Sequence, residues 1–163
     1  MTMQMLGMAA LALAVVALLI WRQLRWTRFD AARALRLPIV LGVLGLVEVT
    51  TATRTETLTA VDLTLLAAEL AVALAVGAGM GRLTVFRLAP TAAGRWETRT
   101  GRLGAALWLV LVVVRVGTSM AGPALGAHVA TASGVSLVLL AATRGTTALI
   151  ARSRAPQAAL LSA

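Results

Sequence analysis

The chain has 163 residues, of which 60% are apolar and 13% are charged, a composition that lies far from soluble domains and is typical of integral membrane proteins. All fifteen basic residues are arginines and there is no cysteine, so lysine Schiff bases, disulfides, thiolate catalysis and iron–sulfur clusters are excluded. The formal charge of +9 is divided among clusters that border apolar runs, which does not fit a nucleic-acid partner. We expect no cofactor, and the single histidine cannot form a metal site alone.

The first predicted element is a membrane span at residues 5–21. This stretch has no charged side chain and is just long enough to cross a bilayer core of about 30 Å. No basic segment precedes it, which argues against a cleaved signal peptide. The arginine-rich stretch "RQLRWTRFDAARALRLP" follows it, and the positive-inside rule predicts a cytoplasmic segment here and an external N-terminus.

The second and third spans are predicted at about residues 37–53 and 61–80. Pro38 falls in the first turn of span two, where a missing N–H costs least. In span three, Ala73, Gly77 and Gly81 form a row of small residues that predicts close packing of helices. The sequence "GAGMGR" closes an apolar helix and follows no strand, so it is not a phosphate-binding loop.

A second basic segment, "RLTVFRLAPTAAGRWETRTGR" at residues 82–102, is predicted to be cytoplasmic. Its parts "TVFRL" and "RWETR" predict a short hairpin on the membrane surface, anchored by Phe86 and Trp96. Span four follows at about 103–121, the uncharged "GPALGA" forms an outer turn, and span five covers about 128–151. We therefore expect an all-α bundle of five membrane helices in one domain, residues 1–154, with a flexible cytoplasmic tail at 155–163, in the plasma membrane of a bacterium.

Three charged residues are predicted to lie at one depth in this bundle. With a rise of about 1.5 Å per residue from the cytoplasmic ends of their helices, Arg115 lies ~18 Å deep, Glu48 ~16 Å and Glu69 ~20 Å. A charge inside a membrane is costly and needs a partner. We predict that Arg115 faces Glu48, Glu69 or both.

Helical spacing also predicts which other residues surround these charges. The polar faces that contain them open toward the outer side, and Trp108 lies two turns below Arg115 as an aromatic floor. The predicted pocket contains four substrate-binding residues, with two further residues less strongly indicated: Trp108, Asp62, Thr51 and Ser119, then His128 at the rim and Arg144, which is ~12 Å from the cytoplasmic end of span five.

Four segments carry a resemblance to a known family. "RLPIVLGVLGL" (36–46), "AVGAGMGRLTVFRL" (75–88), "GRWETRTG" (94–101) and "LWLVLVVVRVG" (107–117) resemble the CcdC-like family of small bacterial membrane proteins, over about half of the chain. The family takes its name from a gene cluster for cytochrome c maturation. The resemblance implies a polytopic accessory protein, and the absence of cysteine argues against direct handling of heme-site thiols.

Three functions remain open from the sequence. If two carboxyls share Arg115, one stays ionised and the other becomes a neutral acid that can protonate an alkene or epoxide. Glu48 or Glu69 would then be the general acid of an enzyme acting on an isoprenoid or another prenylated lipid, a mechanism similar to that of membrane-bound terpene and meroterpenoid cyclases. Alternatively, the charges form closed structural pairs in an accessory or assembly protein, or they serve proton-coupled transport.

Overall fold

A computed structural model describes residues 21, 25–28, 30, 34–89 and 96–155. It contains four helices that are long and apolar enough to cross a membrane, and we name them α1 (Arg36–Thr55), α2 (Ala60–Leu83), α3 (Gly101–Ala121) and α4 (Ser133–Arg154). They correspond to predicted spans two to five. Predicted span one, at residues 5–21, lies outside the described residues except for Trp21, and so does most of the tail.

The fifth predicted span begins later than expected. Its helix starts at Ser133, whereas the sequence predicted about residue 128. Residues 123–125 form a short 3-10 helix, and the backbone from Ala127 to Ala132 continues as non-helical chain with Ala127, Val129 and Ala130 fully buried. The prediction was wrong because apolar composition does not distinguish a buried loop from the first turn of a helix.

The helices pack side by side, with α4 between α1 and α2, and with α3 against α2. Glycines allow these close approaches. A Cβ atom added at Gly45 would lie 2.8 Å from the Gly134 carbonyl oxygen, and one added at Gly77 would lie 2.6 Å from the Thr143 carbonyl oxygen. Ala73 is fully buried beside Gly77 on the same face, so the predicted row of small residues is confirmed as a packing surface.

A small antiparallel sheet combines two strands between α2 and α3 with one strand that precedes α1 in the chain. Strands β2 (Val85–Leu88) and β3 (Trp96–Arg99) pair as the predicted hairpin, with Arg87 opposite Glu97. A third strand, β1 (Thr27–Arg28), pairs with the other edge of β3. The sequence did not predict β1, because two residues are too few to show alternation.

Candidate functional site

Arg115 and Glu69 form a buried ion pair between α3 and α2. The Nη1 atom of Arg115 lies 3.1 Å from Oε2 and 3.3 Å from Oε1 of Glu69. The two side chains are 15% and 3% exposed, respectively. Of the two partners predicted for Arg115, Glu48 and Glu69, the structure brings Glu69 into contact with it.

The other nitrogens of Arg115 bind groups of α4 and of the loop before it. Nε donates to the Ser136 hydroxyl at 2.8 Å. Nη1 also donates to the carbonyl oxygen of Ala130 at 2.7 Å, and Nη2 donates to that of Ala132 at 2.8 Å. All three guanidinium nitrogens therefore have partners, and one side chain connects three helices with the loop.

Asp62 holds the same loop from the other side. The residue is completely buried, and its Oδ1 atom accepts a hydrogen bond from the backbone N–H of Ala130 at 2.8 Å. Its Oδ2 atom accepts from the backbone N–H and the hydroxyl of Thr59, which complete a capping box at the start of α2. Both carboxylate oxygens of Asp62 are therefore used by the helix cap and the loop, and its role in substrate binding stays a prediction.

Glu48 does not join the Arg115 network. Its side chain is exposed, and Oε1 accepts a hydrogen bond of 2.5 Å from the hydroxyl of Ser133, the first residue of α4. The close contact of Gly45 with Gly134 brings α1 against the N-terminal turn of α4, where the helix dipole favours a negative charge. Glu48 therefore meets α4 instead of Arg115, because depth along a helix does not fix which neighbour a side chain meets.

Three other predicted pocket residues lie apart from this network. The hydroxyl of Thr51 donates to the carbonyl oxygen of Val47 in its own helix at 2.9 Å. Ser119 and His128 are exposed. None of the three makes a hydrogen bond to Arg115 or Glu69, and their role in substrate binding stays a prediction.

Trp108 and Arg144 form a separate contact deeper in the bundle. Trp108 packs on the hydrophobic core, and the guanidinium carbon of Arg144 lies 6.0 Å from the centroid of its ring, at the outer limit of a cation–π contact. The indole Nε1 is buried and has no hydrogen-bond acceptor among the described residues. This ring contact of Arg144 was not foreseen from the sequence.

The sequence missed four contributors to the site. They are the hydroxyls of Ser133 and Ser136 and the carbonyl oxygens of Ala130 and Ala132. Every residue has a carbonyl oxygen, so no sequence signal marks the two that bind Arg115. The serines could have been suspected, since hydroxyls inside an apolar helix seek partners.

The geometry limits what the buried pair can do chemically. Both oxygens of Glu69 accept from a permanently charged guanidinium. This arrangement engages both carboxyl oxygens of Glu69 in the contact between α2 and α3. The pair is consequently suited to connecting helices.

Comparison with known proteins adds no further constraint. No family model matches the chain, and no curated protein or solved structure is significantly similar to it. The resemblance to the CcdC-like family stays a prediction from four short segments.

Proposed function

We propose that the chain is a non-catalytic accessory or assembly protein of the membrane, in which the buried charges hold the outer ends of the helices together. The observation that carries this proposal is the set of contacts of Arg115. Each of its nitrogens is bound, to Glu69, to Ser136 or to a loop carbonyl. A closed network of this kind stabilises one arrangement of helices and leaves no group available to a substrate.

The proposal extends to topology. We propose five spans, with residues 5–21 as the first, an external N-terminus and a cytoplasmic C-terminus in a bacterial plasma membrane. Arginines support this orientation. Seven with described side chains lie at one end of the helices or in the adjoining strands: Arg36, Arg82, Arg87, Arg99, Arg102, Arg152 and Arg154. Near the opposite helix ends the structure describes one, Arg54, as the positive-inside rule requires.

The experiment replaces the ion pair by apolar side chains. A strain that lacks the gene is complemented with the Glu69→Leu/Arg115→Met double variant, and growth and membrane levels of the protein are measured. A structural pair predicts that the double variant restores growth whenever its membrane level is normal. Loss of growth at a normal level would contradict the accessory role and favour chemistry at the pair.

One observation favours a second candidate function. Glu48 lies within a membrane-length helix, and its described contacts include Ser133 but no arginine. A carboxyl in such a place can serve as the acid that protonates a prenylated lipid. In membranes supplied with a prenylated substrate, this candidate predicts conversion by the native chain and loss of conversion in Glu48→Gln. Conversion that persists in Glu48→Gln would eliminate it.

A further inference from the structure

The three-stranded sheet has two chemically different faces. In antiparallel pairs, directly opposite residues share a face and successive residues alternate. Arg87 and Glu97 are opposite each other, as are Val85 and Arg99, so these four residues belong to one face. The other face carries the aromatic and aliphatic side chains of the hairpin together with threonines: Phe86, Leu88, Trp96, Thr27 and Thr98.

Trp26 organises the arginines of the first face. The guanidinium carbon of Arg87 lies 3.8 Å from the centroid of its ring, and that of Arg99 lies 4.9 Å from it. Both are cation–π distances, so the ring of Trp26 contacts two positively charged side chains. We call Trp26, Arg87 and Arg99 the basic face of the sheet.

Only part of this positive charge is neutralised within the protein. Arg87 forms an ion pair with Glu97 at 2.8 Å. Arg99 is exposed and forms no ion pair with any residue that the structure describes, and the same is true of Arg102 at the start of α3. Arg99 and Arg102, three positions apart in the chain, are thus exposed arginines without an ion pair among the described residues.

Two single-residue connections hold strands β2 and β3 close to the ends of α2 and α3. Only Thr84 separates α2 from β2, and only Thr100 separates β3 from α3. One residue spans at most about 3.5 Å, whereas the headgroup layer on each side of the hydrocarbon core is about 5–7 Å thick. With the hydrocarbon boundary taken at the ends of α2 and α3, the strands begin within the headgroup layer, where phosphate groups are the abundant anions.

We propose that the basic face, together with Arg102, binds the phosphate of anionic phospholipids in the leaflet beside the sheet. Guanidinium groups pair with phosphate through parallel N–H···O hydrogen bonds. The aromatic face of the hairpin, with Trp96 and Phe86, has the composition that favours the boundary between headgroups and acyl chains. Lipid is favoured over nucleic acid because the two short connections keep the arginines in the headgroup layer.

The experiment measures lipid binding to the full chain in a neutral detergent. Dioctanoyl phosphatidylglycerol is titrated, and bound lipid is counted by native mass spectrometry, with dioctanoyl phosphatidylcholine as the zwitterionic comparison. An exposed pair between an arginine and an anion contributes up to about a fivefold change in affinity. The Arg99→Gln/Arg102→Gln double variant should therefore bind phosphatidylglycerol more weakly than the native chain, by up to about 25-fold.

Two further variants keep the result interpretable. Arg54→Gln removes an exposed arginine at the opposite end of the helices and should leave phosphatidylglycerol binding unchanged. Arg99→Lys/Arg102→Lys keeps both charges, so it should recover most of the binding that the glutamine variant loses. If the glutamine variant has a lower melting temperature, recovery by the lysine variant separates loss of charge from loss of folding.

Several outcomes would overturn the proposal. They are equal binding of the two lipids, native-like binding by the glutamine variant, and equal weakening by Arg54→Gln. Displacement of the lipid by millimolar inorganic phosphate would show a site for the free anion instead of a lipid. Tighter binding of a single-stranded oligonucleotide than of phosphatidylglycerol would identify a nucleic-acid surface.

Discussion

Removing the acidic partner of Arg115 should destabilise the protein more than removing the arginine itself. In Glu69→Gln, a guanidinium that is only 15% exposed loses its counter-ion and cannot lose its proton. Breaking a buried ion pair in this way costs about 3–5 kcal/mol. In Arg115→Leu, three hydrogen bonds to Ser136 and the loop carbonyls are lost, each contributing about 0.6 kcal/mol in a membrane. Their sum is about 2 kcal/mol. No cost for an unpaired charge is added, because the remaining carboxyl can take up a proton.

These magnitudes predict the sign of a double-mutant cycle. The Glu69→Gln/Arg115→Leu variant contains neither the stranded guanidinium nor the ion pair, so it should be more stable than Glu69→Gln by about 1–3 kcal/mol. The free energy of unfolding is measured for all four proteins in mixed micelles by titration with dodecyl sulfate. The Arg87–Glu97 pair is a matched control, since its side chains are 41% and 21% exposed and Glu97→Gln should cost less than about 1 kcal/mol. Additive single effects at positions 69 and 115 would refute the reasoning.

Three further predictions concern packing, the loop and orientation. Gly77→Ala should destabilise the bundle by about 1–3 kcal/mol in the same micelle titration, because its Cβ would lie 2.6 Å from a carbonyl oxygen of α4. Gly117→Ala is the control and should be neutral, because its Cβ would meet nothing within 4 Å. Asp62→Ala removes a helix cap and a charged acceptor, so it should lower the free energy of unfolding by about 2–4 kcal/mol in that assay. A decrease below about 1 kcal/mol would show that the loop does not depend on Asp62. Cysteine at Ala124 should react with impermeant thiol reagents in intact cells and cysteine at Leu88 should not, while the opposite pattern would reverse the proposed orientation.

The sequence was sufficient to predict the four helices that the structure describes, because length and apolar composition are the physical requirements for crossing a membrane. It also predicted that Arg115 has an acidic partner, Glu48, Glu69 or both, since opposite charges at one depth on different helices reduce the cost of burial when they pair. The hairpin was recognised because Pro90 and Gly94 separate two stretches of mixed character. Each of these predictions needed only the composition of one segment or the depth of a residue along its helix.

The errors share a different physical origin. Depth alone left both Glu48 and Glu69 as partners of Arg115, but the neighbours of a helix depend on packing, here on the contact of Gly45 with Gly134. Residues 128–132 were assigned to a helix because buried alanines and valines occur both in helices and in buried loops. The conformation of this loop depends on one N–H and two carbonyl groups that bind Asp62 and Arg115. Since nearly every residue has these backbone groups, the sequence does not indicate which ones bind a side chain.

The central claim is that Asp62 and Arg115 fasten the loop before α4 to the helices. Hydrogen exchange at the backbone amide of Ala130 tests it most directly, because this N–H donates to Asp62 and the carbonyl of the same residue accepts from Arg115. We predict slow exchange in the native chain, close to that of the interior of α4, and fast exchange in Asp62→Ala. Exchange of the native Ala130 amide as fast as that of the exposed Thr57 in the loop between α1 and α2 would contradict the account.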